Sequence, residues 1–212
     1  MEKSRDMEPM TAQEWNLTYR FGEPVWDEPP TALLARLLAR HVPPPVEVLD
    51  VGCGLGTTSR RLAELGYRVT GCDFSARAIE LARARTPEAL PVRFATADVT
   101  REPPPLGRFP VVLERGVLHA VPRMTDRRRL VAAVARACLP GGLWVHVGAS
   151  AITVEAERCV ARGPSRMAEE TFLALVEPHF TVVEIDYAPF GSRWATWQAR
   201  HAVLRSRPAP DL

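Results

Sequence analysis

The stretch Val48-Leu49-Asp50-Val51-Gly52-Cys53-Gly54-Leu55-Gly56 restricts the possible folds of this chain more than any other segment. The apolar run Val46–Val51 reads as a strand, and residues 57–65 read as a helix, so the glycines fall in the turn between them. Glycines at alternate positions let a backbone turn tightly and approach a ligand closely, where side chains would forbid both. Asp50 at the strand end can orient that loop or an ammonium group. The pattern departs from the dinucleotide fingerprint G-x-G-x-x-G, because Ser59 stands where a glycine should follow Gly54 and Gly56. The loop also has no lysine, which excludes a nucleoside-triphosphate phosphate loop.

The rest of the chain repeats the strand–turn–helix alternation. Residues 11–20 and 31–41 read as helices, as do 75–86 (with Ser75 as N-cap), 126–138 and 167–177. Tyr67–Cys72, Val92–Phe94, Phe109–Glu114 and Leu143–Gly148 read as further strands, and Phe180–Tyr187 and Trp194–Leu204 close the chain. Alternation of this kind predicts an α/β fold with a mostly parallel sheet and helices on both faces. The last two strands have too short a connection for a crossover helix, so they should pair as an antiparallel hairpin. The expected sheet therefore has seven strands, the last of them antiparallel. At 212 residues, one domain is expected over 1–212, with residues 1–42 as a helical cap or lid and 43–212 as the core.

Two acidic strand ends follow the glycine loop. Asp73 closes Val69-Thr70-Gly71-Cys72, about 20 residues beyond the loop, the spacing at which a carboxylate reaches ribose hydroxyls. Asp98 and Val99 follow the third strand. Asp98 can accept from an adenine amino group or serve as a plain turn residue, and the Val99 N–H can donate to a ring nitrogen.

Together, Asp50-x-Gly52-x-Gly54-x-Gly56, Asp73, Ala97-Asp98 and Leu139-Pro140-Gly141-Gly142 resemble the motif set of the class I S-adenosylmethionine (SAM) dependent methyltransferases. The resemblance covers residues 46–150 and implies a Rossmann-like sheet and SAM as methyl donor. It implies that the backbone carbonyls of Gly52 and Glu114 meet the methionine ammonium. It also implies that Phe74 packs along the ribose and adenine, with Cys53 as a packing residue of the loop. Trp26 and Arg115 join the expected cofactor-binding set of Asp50, Gly52, Cys53, Gly54, Asp73, Phe74, Asp98, Val99 and Glu114. A looser resemblance, to small bacterial thiopurine and thiol S-methyltransferases, rests on Trp26-Asp27, Glu114–Pro122 and Gly163–Met167. It implies a thiol acceptor, with an oxygen or nitrogen acceptor, or SAM binding without catalysis, as the alternatives.

Methyl transfer needs alignment and water exclusion more than activation. A thiol is already partly ionised near neutral pH. His119, after the fourth strand, is the candidate base, or a histidine that merely shapes the pocket. His146, inside the fifth strand, reads as structural, and no His–Glu pair is evident. Trp15 and Tyr19 belong to an aromatic-rich N-terminal segment that either packs on the domain or covers the acceptor. Arg162 and Arg166 can hold an acidic acceptor group or stay solvated, and Arg127-Arg128-Arg129 reads as the exposed start of a helix.

Composition bears mainly on partners. A net charge of +2 gives no electrostatic case for nucleic acid or membrane. No metal is expected, since neither HExxH nor a Cys/His cluster occurs. No signal peptide or apolar run of ~18 residues is seen, and Cys53, Cys72, Cys138 and Cys159 suit reduced thiols. A cytoplasmic monomer or homodimer acting on a small molecule is therefore the expectation.

Overall fold

The computed structural model describes residues 10–20, 24, 26–101, 106–153, 165–192 and 195–208. Arg162, Cys159 and the Gly163-Pro164 pair lie outside the described residues. In chain order the elements are α1 (Ala12–Thr18), α2 (Ala32–His41), β1 (Glu47–Val51), α3 (Thr57–Glu64), β2 (Arg68–Asp73), α4 (Ala76–Ala84) and β3 (Val92–Thr96). Then come β4 (Phe109–Arg115), α5 (Val117–Ala120), α6 (Met124–Ala137), β5 (Cys138–Ala151), β6 (Met167–Ala168), α7 (Glu169–Val176), β7 (Phe180–Ser192) and β8 (Ala195–Ser206).

The main sheet runs β3-β2-β1-β4-β5-β8-β7, with the two-residue β6 pairing β5 off this path. β1 to β5 pair in parallel, whereas β8 is antiparallel to both β5 and β7. The predicted seven strands and antiparallel last strand are therefore the observed ones. Both faces are covered, as strands apolar on both sides require. On one face Leu34, Leu37, Leu38 and Leu62 from α2 and α3 pack on Val48, Val69, Val111, Val145 and Val203. On the other, Leu130 and Val134 of α6 and Phe172 of α7 pack on Leu49, Val112, Trp144 and Leu204.

Local capping agrees with the sequence. Ser75 accepts from the Ala78 N–H at 3.1 Å, and Thr31 caps α2 by accepting from the Leu34 N–H at 3.2 Å. Thr31 Oγ1 also lies 2.7 Å from His201 Nε2, which ties α2 to β8.

Residues 117–120 form the short helix α5, on which the sequence reading is silent, and two readings need correction. β5 runs from Cys138 to Ala151 rather than 143 to 148. Arg127 is not exposed. It shares the inner face of α6 with Leu130, Val131 and Val134, and is 4% accessible. Its guanidinium donates to the Val121 carbonyl at 2.7 Å and to Ser165 Oγ at 2.6 Å, so a charge at the start of a helix is buried with partners.

Strand order places the site. β2 and β3 are added on one side of β1, and β4 and β5 on the other. The order of strand addition thus reverses between β1 and β4. In open α/β sheets ligands bind outside the carboxyl ends of the strands at such a point.

Candidate active site

The glycine loop sits at that reversal. Gly52, Gly54 and Gly56 have φ of +64°, +53° and +76°, a region that side chains resist. A Cβ on Gly52 would stand 2.2 Å from Val117 Cγ2, so α5 can lie against the loop only because that position is bare. Ser59, in the place of the missing third glycine, has a different task. Its hydroxyl donates to Asp50 Oδ2 at 2.5 Å and pins α3 to the end of β1. Burial pushes the Asp50 carboxyl up to about 6, against the Ser59 bond and the Arg115 charge.

Asp73 is buried at the end of β2. Its Oδ2 accepts from the Gly54 N–H at 3.1 Å and its Oδ1 from the Ser75 N–H at 2.8 Å. Burial raises its pKa, and these backbone bonds hold it back. The carboxylate therefore joins the glycine loop to the N-terminus of α4. The β3 end lies beside it, because the Ala97 N–H donates to the Asp73 carbonyl at 3.0 Å. There Asp98 Oδ1 accepts from the Thr100 N–H at 3.0 Å and its hydroxyl at 2.6 Å, which is a turn-forming arrangement. Phe74 is 37% exposed, so its ring is available to a ligand.

The N-terminal segment packs over the loop. Thr11 and Glu14 form a reciprocal capping box that starts α1. Asn16 Oδ1 accepts from Ser75 Oγ at 2.7 Å and docks α1 on the start of α4. Trp15 stacks with Tyr19 (6.0 Å between centroids) and meets Trp26 edge-on at 5.8 Å. Tyr19 is buried against Leu55 and Ala78, with its hydroxyl oxygen 3.0 Å from the position of a Gly54 Cβ. These contacts pack the segment on the loop. Arg115 lies half-buried near Asp50, Asp27 and Glu28, so the Trp26-Asp27-Glu28 stretch faces the same loop.

On the β4–β5 side the structure assembles a group that the sequence does not reveal. Strand register sets Glu114 opposite His146. Glu114 Oε2 and His146 Nδ1 are 2.6 Å apart, and Glu114 Oε1 accepts from the Leu118 N–H of α5 at 2.7 Å. Burial would raise the Glu114 pKa, but its interaction with His146 and its hydrogen bonds to His146 and Leu118 hold it below its ordinary value. The expectation that no His–Glu pair exists is therefore corrected. Its one sequence signal was an ionisable residue inside each of two apolar strands, Val112-Leu113-Glu114 and Trp144-Val145-His146-Val147.

His119 stands beside this pair on α5. Its Nδ1 accepts from the Ala149 N–H at 3.0 Å, which leaves the ring proton on Nε2. Burial lowers its pKa to about 4, with Glu114 pulling the other way. Neutral His119 is thus a hydrogen-bond donor with its basic nitrogen in use. Its imidazole should not titrate between pH 5 and 8 in a nitrogen-detected NMR titration. A midpoint near 6.5 would contradict that geometry. Arg166 is half-buried just before β6.

Among the described residues, no group of three or more His, Cys, Asp or Glu could hold a metal ion. No helix among them is long and apolar enough to cross a membrane.

Residues 48–142 match the family model for a methyltransferase domain. The chain is 37% identical over 105 residues to the 2-methyl-6-phytyl-1,4-hydroquinone methyltransferase of Synechocystis sp., covering 49% of this chain and 32% of that protein. The chain thus spans about a third of that relative's length. A solved structure described for the conversion of a disulfide bond into a thioacetal group during echinomycin biosynthesis is 25% identical, with a TM-score of 0.76 over 93% of both chains. The N-methyltransferase NodS of Bradyrhizobium japonicum, solved with S-adenosylhomocysteine (SAH), has a TM-score of 0.72 at 22% identity, covering 94% of this chain and 98% of that one.

Proposed function

We propose that this chain, which has the fold of the SAM-dependent methyltransferases, moves a methyl group from SAM to a small-molecule acceptor. The observation that carries the reading is buried Asp73 bound to the Gly54 amide of a positive-φ glycine loop, at the point where the strand order reverses. The donor set suits a nucleoside that carries an amino-acid arm. Asp73 offers carboxylate oxygen to ribose hydroxyls, Asp98 and Val99 face the base, and the Gly52 and Glu114 carbonyls suit an ammonium. Bound SAM supplies an electrophilic sulfonium methyl. The chain's own residues hold and orient the ligands, and Trp15, Tyr19 and Trp26 exclude water.

A thiol acceptor is the first reading of acceptor class. It is supported by the likeness to thiol S-methyltransferases and by the sulfur chemistry named for the 25%-identical structure. A hydroxyl acceptor is the second reading, favoured by the buried Glu114–His146 pair. Arg166 and Tyr19 are the proposed acceptor-side residues in either case. The free thiols of Cys53, Cys72 and Cys138 suit a reducing compartment.

Ligand binding tests the reading directly. SAH at a hundred times its Kd should stabilise the protein by about 2.7 kcal/mol, raising Tm by roughly 5–10 °C. NAD should leave Tm unchanged. A shift with NAD and none with SAH would overturn the cofactor assignment. Transfer of a labelled methyl group to a panel of thiols and phenols then separates an enzyme from a protein that only binds SAM.

A further inference from the structure

The two histidines beside α5 are held in opposite tautomers. His119 receives a backbone N–H on Nδ1, so its proton sits on Nε2. His146 faces a carboxylate at 2.6 Å through Nδ1, so Nδ1 carries a proton and, in the neutral ring, Nε2 keeps the lone pair. His146 is 2% accessible, and among the described residues its Nε2 makes no hydrogen bond. A basic nitrogen without a partner at the edge of such a ring can receive a ligand.

That nitrogen points along β5 toward the strand end. Gly148 is the next residue on the same face of the strand. A Cβ there would come within 2.7 Å of His146 Cε1 and Nε2, and 3.7 Å of His119 Nδ1. Only a glycine leaves room for the edge of His146 there, and the His119 ring lies beside the same spot. The ring itself cannot swing away. It stacks on Phe172 at 4.8 Å and lies edge-on to Trp144 at 5.6 Å.

We infer that His146 is the acceptor-side base of this site, with Glu114 as its positioning residue. The inference rests on the methyltransferase reading and takes its second acceptor class, a weakly acidic hydroxyl, in place of the thiol. In the step, the hydroxyl proton passes to His146 Nε2 and an oxygen lone pair forms the bond to the methyl carbon. The electron pair of the broken carbon–sulfur bond stays on sulfur, and Glu114 offsets the imidazolium charge. His119 donates through Nε2 and takes no proton. The other charged groups around the pair are Arg200 of β8, its guanidinium 4.5 Å above the Phe172 ring, and Arg115 and Arg127, which act on His119. His201 lies on the opposite face of the sheet with Thr31. From α7 the pair meets the uncharged Phe172.

The test uses phenols of graded acidity, with thiophenols as the soft series, on wild type, His146→Gln and Glu114→Gln. For weakly acidic phenols His146→Gln should lose ~10²–10⁴-fold in kcat/KM, the usual range for a general base. For nitrophenols already ionised at the assay pH, and for thiophenols, the loss should stay within about tenfold, because no proton remains to be taken. A structural role would lower all of them in parallel, and parallel loss, or no loss, overturns the assignment. Nitrogen NMR on the wild-type protein needs no turnover. It should find His146 with Nδ1 protonated, and its Nε2 resonance should move when phenol is added to the SAH-bound protein. A proton on Nε2, or no response to any phenol, overturns the inference. If SAH binds but wild type methylates thiols alone, the inference falls and the methyltransferase reading stands. If SAH does not bind, that reading falls first.

Discussion

Asp73→Ala should lower the affinity for SAH by ~10- to 150-fold, the ~1.5–3 kcal/mol typical of hydrogen bonds to a charged group. Two effects add in that one variant. The carboxylate that would receive the ribose hydroxyls disappears. The Gly54 and Ser75 amides also lose the acceptor that joins the loop to α4, so the loop is no longer held in its bound shape. Asp98→Ala should cost less, because Asp98 is partly exposed and its Oδ1 already accepts from Thr100. Calorimetry on both variants checks the order. Unchanged SAH affinity in Asp73→Ala would sink the placement of the adenosine at this strand end.

The largest expected loss of stability belongs to Glu114→Ala. Glu114 is fully buried, and it partners both His146 Nδ1 and the Leu118 N–H. Removing one member of such a pair leaves two donors stranded in the interior. That typically costs ~3–5 kcal/mol, and for a chain of this length it corresponds to a fall of roughly 6–20 °C in Tm. The pH dependence has a definite sign. The folded pKa of Glu114 lies below 4.5, so its ionised form stabilises the fold above that value and the contribution is lost as pH falls through the folded pKa. Glu114→Ala should therefore show a flatter loss of stability than wild type below about pH 4.5. Denaturant unfolding at several pH values measures both effects. A decrease of under 1 kcal/mol would mean that the Glu114–His146 pair is not formed in solution.

Both predictions depend on contacts between elements far apart in sequence, and they differ in how visible those contacts were beforehand. Asp73 announced itself, because a strand-end acid at a fixed distance from a glycine loop is a local pattern. Ser59 stood in plain view as the missing glycine, yet its bond to Asp50 appears only when α3 folds back on β1. Arg127 read as one of three exposed arginines. Its burial follows from sharing a helical face with Leu130 and Val134, and from Val121 and Ser165 supplying acceptors.

The amino-acid sequence by itself determined the class of fold, the antiparallel last strand, the glycine turn and the acids after it. These depend on period, spacing and backbone freedom, which act over a few residues. Tertiary structure alone decided which ionisable groups meet. Glu114 and His146 are 32 positions apart, and a shift of one residue in the β4–β5 register would turn one of them to the opposite face. It also decided the roles of the two histidines. Ala149 comes to His119, and Glu114 to His146, only after β5 has docked beside β4, so the tautomer of each ring is set by packing and cannot be read from its neighbours in the chain.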